Sequence, residues 1–193
     1  MGAFYNRSES LNFNIAITRF TSETFAENKF WRERNSHDGC IYGCPVKISY
    51  TIDPDMILFV LEMNNTTNKI MGIGVIQQMS CEGYKYTMNV DNDNENENNK
   101  KKIIVAKKVN IHDDNNYNRF VYSSKYRIDM IDDFIPLTLY RKILILERMV
   151  FHGKSHSKRG QGIQLIPSWF KEYNFEVFSD FINVFKMKYG ISK

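Results

Sequence analysis

Apolar residues recur along this chain in two rhythms, every second position and every third to fourth, and the switching between them predicts the elements. Residues 13–20, FNIAITRF, place branched and aromatic side chains in partial alternation, the pattern of a first strand. Thr21 or Ser22 then caps a short helix over residues 23–31, whose apolar positions include Phe25, Ala26 and Phe30. Residues 35–45, NSHDGCIYGCP, carry two glycines and a proline and are expected to be loop. Residues 56–63, MILFVLEM, are apolar almost throughout, as in a strand covered on both faces. A polar turn at 64–68, NNTTN, leads back into a strand over 69–77, so the two form a hairpin. Gly72 and Gly74 inside that strand predict a bulge or the close approach of another group.

Residues 89–102 are almost wholly polar, rich in Asn, Glu and Lys, and bury no apolar surface; they are expected to be a flexible loop within the domain. Strands are predicted at 103–109 and 119–130, the second broken near Ser123 and Ser124. Pro136 suits the first turn of a helix running to about residue 148. A loop over 153–162 holds Gly, Lys and His, and residues 164–166 form a last short strand. Ser168 caps a final helix, 169–188, whose Phe170, Tyr173, Val177, Phe178, Phe181, Ile182 and Phe185 recur at helical spacing and belong to the core. Strands outnumber helices and come mostly first. The expected fold is α+β: a curved mixed sheet or small β-barrel flanked by about three helices, in one domain spanning residues 1–193.

Composition adds limits. The 193 residues are 42% hydrophobic and 14% aromatic, enough for a real core. A net charge of +4 permits a polyanionic partner without demanding one. Three cysteines, Cys40, Cys44 and Cys81, are too few and odd in number for a secreted disulfide framework. MGAFYNRSES lacks the apolar stretch of a secretory leader, and no run reaches the length of a membrane span. An intracellular monomer, cytoplasmic or nuclear and away from membranes, is expected.

Candidate chemistry concentrates in the basic loop, where Lys154, Lys158 and Arg159 sit among small polar residues and two glycines. Cations attract phosphate, and glycines let backbone amides turn toward an anion. Trp31, followed by Arg32, Glu33 and Arg34, suits base stacking, and Tyr42, Phe120 and Tyr122 are further aromatic candidates. His37, Cys40 and Cys44 are loosely spaced for zinc and need Cys81 or His112 to complete a set, so no metal is expected. Asp129, Asp132 and Asp133 read as an acidic turn before a helix. No phosphate-binding glycine loop, dinucleotide fingerprint or nucleophile elbow occurs, so neither a cofactor nor a catalytic set is expected.

Three segments, MILFVLEMNNTTNKIMGIGVI, KYRIDMIDDFIPL and KSHSKRGQGIQLIP, carry a family likeness. The first resembles an apolar strand, turn and glycine-containing strand; the second, a strand with an Asp-hydrophobic pair leading into a helix; the third, a basic loop before a Gln-containing strand. In this order they resemble the PUA-like superfamily, particularly its YTH and EVE domains, over about residues 13–185. The resemblance implies binding to nucleic acid, RNA in preference to DNA, with a modified base such as N6-methyladenine held in an aromatic cage. By position it implies Trp31 as the first cage residue, Phe120 or Tyr122 as the second, and Arg159 as the phosphate contact beside Lys154 and Lys158. Thr21, Ser22 and Asn35 are assigned to the polar edge of the base. The tryptophan-rich stretch around the YTH cage has no counterpart here. Two other classes stay open: an enzyme on the same fold, as among ASCH domains, acting on RNA or modified nucleosides, and a protein-interaction module.

Overall fold

The computed structural model describes residues 13–49, 57–77, 84–89, 102–107, 109–133, 135–154 and 156–190. The expected loop at 89–102 and Cys81 lie almost entirely outside them. Strand β1 (Phe13–Phe20) runs parallel to β3 (Ile57–Asn64), which turns back into the antiparallel β4 (Lys69–Gln77). The short strands β8 (Arg127–Asp129) and β9 (Gln164–Leu165) complete a five-stranded mixed sheet in the order β8-β4-β3-β1-β9. Its outer strands leave two edges, so among the described residues the sheet is open and no barrel closes. Strands β2 (Cys40–Cys44) and β7 (Phe120–Ser124) pair as a separate ribbon, and β5 (Tyr84–Asn89) pairs with β6 (Lys102–Lys107).

Alternation along the strands sorts side chains onto the two faces of the main sheet. Ile15, Ile17, Phe59, Leu61, Met63, Ile70 and Ile73 face α2 (Leu137–Phe151), α3 (Ser168–Tyr173) and α4 (Phe175–Tyr189). Leu139, Ile143, Leu146 and Val150 return this contact along one stripe of α2, and Phe178, Phe181 and Phe185 do so along α4. Each such side chain contributes about 1.5–3 kcal/mol by leaving water. Ala16, Phe20, Leu58, Val60 and Ile76 point the other way, onto Cys40, Tyr42, Cys44 and Tyr122 of the β2–β7 ribbon. The outer face of that ribbon is covered in turn by a smaller cluster of Ile41, Val109, Ile111 and Val121, against which Trp31 packs.

Two segments depart from expectation. Residues 40–44 are strand, not loop: their glycine marks a close contact, since a Cβ on Gly43 would strike the carbonyl of Tyr117. The final helix is two helices, because Asn174 leaves helical geometry (φ −105°, ψ 18°) and spends its buried amide on the Phe170 carbonyl at 2.8 Å. No helix among the described residues is long and apolar enough to cross a membrane.

Candidate functional site

Parallel strands leave a crevice at their carboxyl ends, where the chain must turn away from the sheet. Here β1 ends at Phe20, and Thr21 starts α1 (Ser22–Arg34) through a reciprocal cap: Thr21 Oγ1 accepts from the Thr24 amide at 3.1 Å, and the Thr21 amide donates to Thr24 Oγ1 at 2.9 Å. Beside this cap lies a cleft of about 180 Å³, bounded by Arg19, Phe20 and Thr21 on one side and Lys158 and Gly160–Gly162 on another.

The third wall is built by local side-chain chemistry. Buried Asn118 accepts from the amides of Ile111 (2.8 Å) and His112 (3.0 Å) and donates to the His112 carbonyl at 2.6 Å. Asp114 Oδ1 accepts from the Asn116 amide at 2.8 Å, turning the chain into a 3-10 turn over Asn115–Asn118. These contacts place His112 and Tyr117 on the cleft with ring centroids 5.9 Å apart. His112 Nδ1 lies 2.7 Å from Glu27 Oε2 on α1, so a carboxylate orients the imidazole. Tyr117 keeps 39% of its surface in solvent and offers a ring at the mouth.

The basic loop is stapled to the β3–β4 turn. Lys158 Nζ donates to Asn68 Oδ1 at 2.8 Å, and Asn65 Nδ2 donates to the Lys158 carbonyl at 3.0 Å. Gly160 and Gly162 have φ of +118° and +65°, a conformation other residues rarely adopt, so the loop's path next to the cleft depends on them. Arg19 donates from Nε to the Ser157 carbonyl at 2.6 Å and from Nη2 to Gln164 Oε1 at 2.9 Å. Burial lowers its guanidinium from the ordinary value.

Of the residues expected from sequence, Thr21 and Lys158 line this cleft, and Ser22 adjoins it, its amide donating to Thr66 Oγ1 at 3.2 Å. Lys154 and Arg159 are exposed on the same loop. Of the aromatic set, Tyr42, Tyr122 and Phe120 share one cluster, and Trp31 stands apart from them. Trp31 lies ten residues along α1 from Thr21, about 15 Å at the helical rise. It packs on the Val121 face of β7, whereas Phe120 and Tyr122 point to the opposite face. Asn35 is at the far end of α1, capping it by donating to the Trp31 carbonyl at 2.7 Å. Tyr42 and Tyr122 are 1% and 0% exposed, so neither has a ring face to offer a base. Their hydroxyls serve the interior: Tyr122 accepts from the Ile48 amide at 2.9 Å, and Tyr42 donates to Glu62 Oε1 at 2.9 Å. Phe120 is half-buried under the Arg119 guanidinium, 5.8 Å from its ring centroid.

Cys40 and Cys44 are structural in placement. Cys40 and Cys44 are buried free thiols, and burial pushes the Cys44 thiol up to about 12. His37 turns its Nε2 to the Cys40 carbonyl at 3.0 Å and its ring edge to Trp31. No group of three potential metal ligands occurs among the described residues. Asp132 holds Lys188 at 2.5 Å, and Asp129 holds Arg127 at 2.6 Å.

Sequence reasoning missed Arg19, Asn65 and Tyr117, and weighed His112 only as a completing zinc ligand. A signal existed for Arg19, the lone cation of its strand, and for Tyr117 in the turn-forming run HDDNNYN. Nothing in either segment says that they meet. No protein-family model matches the chain, nor does any curated protein or solved structure.

Proposed function

We propose that this chain binds nucleic acid, RNA in preference to DNA, placing one base in the cleft beyond β1 and phosphates along the basic loop. The observation that carries this reading is the combination in one place of an exposed aromatic ring, a glycine-bent basic loop and hydrogen-bonding groups in the cleft. A cleft of about 180 Å³ is smaller than the ~300–1,000 Å³ of sites for drug-sized ligands, and suits a single planar ring. Tyr117 supplies the stacking surface, since aromatic faces accept any base, and Lys154, Lys158 and Arg159 supply the sequence-independent attraction.

The fold family that the sequence resembles, PUA-like, stays part of this proposal. We propose that fold family on the order of strands and the basic loop before β9. The preference for N6-methyladenine rests on the family likeness alone, and its expected cage residues lie apart, so methylation enters as an arm of the test. That test is fluorescence anisotropy with short RNA and DNA strands, with and without N6-methyladenine, at two salt concentrations. Salt-sensitive binding that weakens in Tyr117→Ala supports the reading; absence of binding at low salt overturns it.

One observation favours a second reading, an enzyme acting on RNA or modified nucleosides. The Glu27–His112 pair at 2.7 Å is how a carboxylate orients a general base. Product formation that disappears in His112→Gln would establish it, and oligonucleotide left intact after prolonged incubation would end it.

A further inference from the structure

Helix α2 is apolar on two sides. Its inner stripe of Leu139, Ile143, Leu146 and Val150 packs on the sheet. On its outer side Leu137, Tyr140, Leu144 and Ile145 remain 38% to 66% exposed, and Arg141 and Arg148 are exposed among them. By helical geometry these six side chains share an arc of about 140° and about 16 Å of helix. A helix with a second apolar face has surface left to cover, and contiguous exposed apolar surface marks an interaction site. None of the six lines the cleft beyond β1.

Their spacing says what fits. Leu137, Tyr140 and Leu144 stand at i, i+3 and i+7, the first and fourth positions of a heptad, along which one helix receives another. Arg141 and Arg148 then both fall at the fifth position, which flanks such a seam and selects a partner by charge. Neither arginine side chain has an ion-pair or hydrogen-bond partner among the described residues. The other charges of α2 are spent within the fold: Lys142 on Asp180 at 2.8 Å, and Glu147 on Lys69 at 3.0 Å and the Ile70 amide at 2.9 Å. The outer face of α2 therefore presents two unpaired cations and no unpaired anion.

We propose that this face binds an amphipathic helix of a partner protein, one with leucine-like residues at heptad spacing and Asp or Glu beside them. The arginines decide the occupant. A second copy of the same face would set like charge against like charge. An anionic bilayer would match the charge, but Tyr140 and Leu144 are more than half covered by their own fold and do not stand out the roughly 5–10 Å that interfacial burial takes. A helix packed at the usual interaxial distance of about 8–10 Å reaches them where they are. The inference is independent of the nucleic-acid reading.

The probe is a labelled helical peptide of about three heptads, with Leu at the first and fourth positions and Glu at the fifth and seventh, beside a counterpart with Lys for Glu. Anisotropy with the full chain should show the Glu peptide bound at least about tenfold more tightly than the Lys peptide, with the difference shrinking in high salt. The double variant Arg141→Glu, Arg148→Glu should reverse that order, which a loss of folding would not do. Leu137→Ala, at an exposed position, should weaken the Glu peptide about fivefold, the worth of one to two methylenes. Melting curves accompany each variant, and if the double variant does not fold, the wild-type pair and Leu137→Ala decide. Equal binding of both peptides by the wild type, or binding of neither, overturns the proposal. Sedimentation with phosphatidylserine vesicles that the double variant loses, while neither peptide binds, overturns it in favour of a membrane surface. Self-association of the wild type that Leu137→Ala abolishes overturns it in favour of a second copy.

Discussion

Glu62 and Arg127 meet in a two-pronged ion pair inside the protein, with Nε–Oε1 at 2.9 Å, Nη2–Oε2 at 2.7 Å, and side chains 1% and 2% exposed. Tyr42 adds a further hydrogen bond to the carboxylate, and Asp129 takes the remaining end of the guanidinium. Burial alone would lower Arg127, yet Glu62 and Asp129 together raise it. Breaking one side leaves an unpaired buried charge. Glu62→Leu should therefore cost about 3–5 kcal/mol in denaturant unfolding, whereas Glu62→Leu with Arg127→Met and Tyr42→Phe should recover most of that loss. A triple variant no more stable than the single one would show that the pair does not act through its charges.

The β4 glycines serve this same interior. A Cβ on Gly74 would enter the space of the Tyr42 hydroxyl and the Cys40 side chain, and one on Gly72 would meet the Glu62–Arg127 pair at 2.6 Å. Gly74→Ala should destabilise by about 1–3 kcal/mol, the usual cost of overpacking. An unchanged melting temperature would mean that the ribbon yields without strain.

Truncating Trp31 and truncating Tyr117 should have opposite effects on stability and on binding. Trp31 packs on Ile41, Val109, Ile111 and Val121, so Trp31→Ala should lower stability by about 2 kcal/mol, less than a fully buried truncation, and leave any preference for methylated strands unchanged. Tyr117→Ala should leave the melting curve nearly in place and weaken RNA binding by about 1–3 kcal/mol, the worth of one stacked base. Thermal melts beside anisotropy separate the two.

Lys154 and Arg159 are exposed on the loop, and replacing either by Ala should lower the slope of log K against log salt by about 1 for each phosphate that its cation neutralises. Affinity should fall equally for all base sequences. A slope that does not move takes that residue off the phosphates.

Cys44 supplies a pH dependence whose sign is definite. Its thiol is raised to about 12 in the fold by burial, against about 8.5 in an unfolded chain, so the folded state holds the proton more tightly. That stability is fully present below the unfolded value and is lost as pH rises toward the folded one, by about 1.4 kcal/mol per pH unit. Cys44→Ala should flatten the alkaline fall in melting temperature. Alkylation at pH 8 followed by peptide mass spectrometry should label Cys40 and Cys44 only after denaturant is added, since burial raises both thiols.

Much of the fold was legible because its elements are local. The alternation in FNIAITRF, the apolar run and turn of the β3–β4 hairpin, and the cap at Thr21 depend on near neighbours, and all reappear at or near their expected bounds. The β2 strand was misread because glycine as punctuation and glycine as a close-contact residue look alike until the partner is known. The helix break at Asn174 was hidden for a similar reason, since an aromatic stripe runs through it without losing period.

Charge and the basic loop are properties of the sequence, and from them came Lys158 and the expectation of a polyanionic partner. Trp31 stands apart from Phe120 and Tyr122 because neighbouring strand residues face opposite ways. Val121 and Phe120 differ by one position, and that one step puts Trp31 and Phe120 on opposite faces of the ribbon. The cleft joins Arg19, Asn65, Tyr117 and Lys158 across separations of up to 139 residues, from position 19 to 158. Hydrophobic periodicity determines which elements form and which faces are buried. Which polar side chains share a cleft is decided only when the strands and loops have packed, because its lining residues come from segments far apart in the sequence.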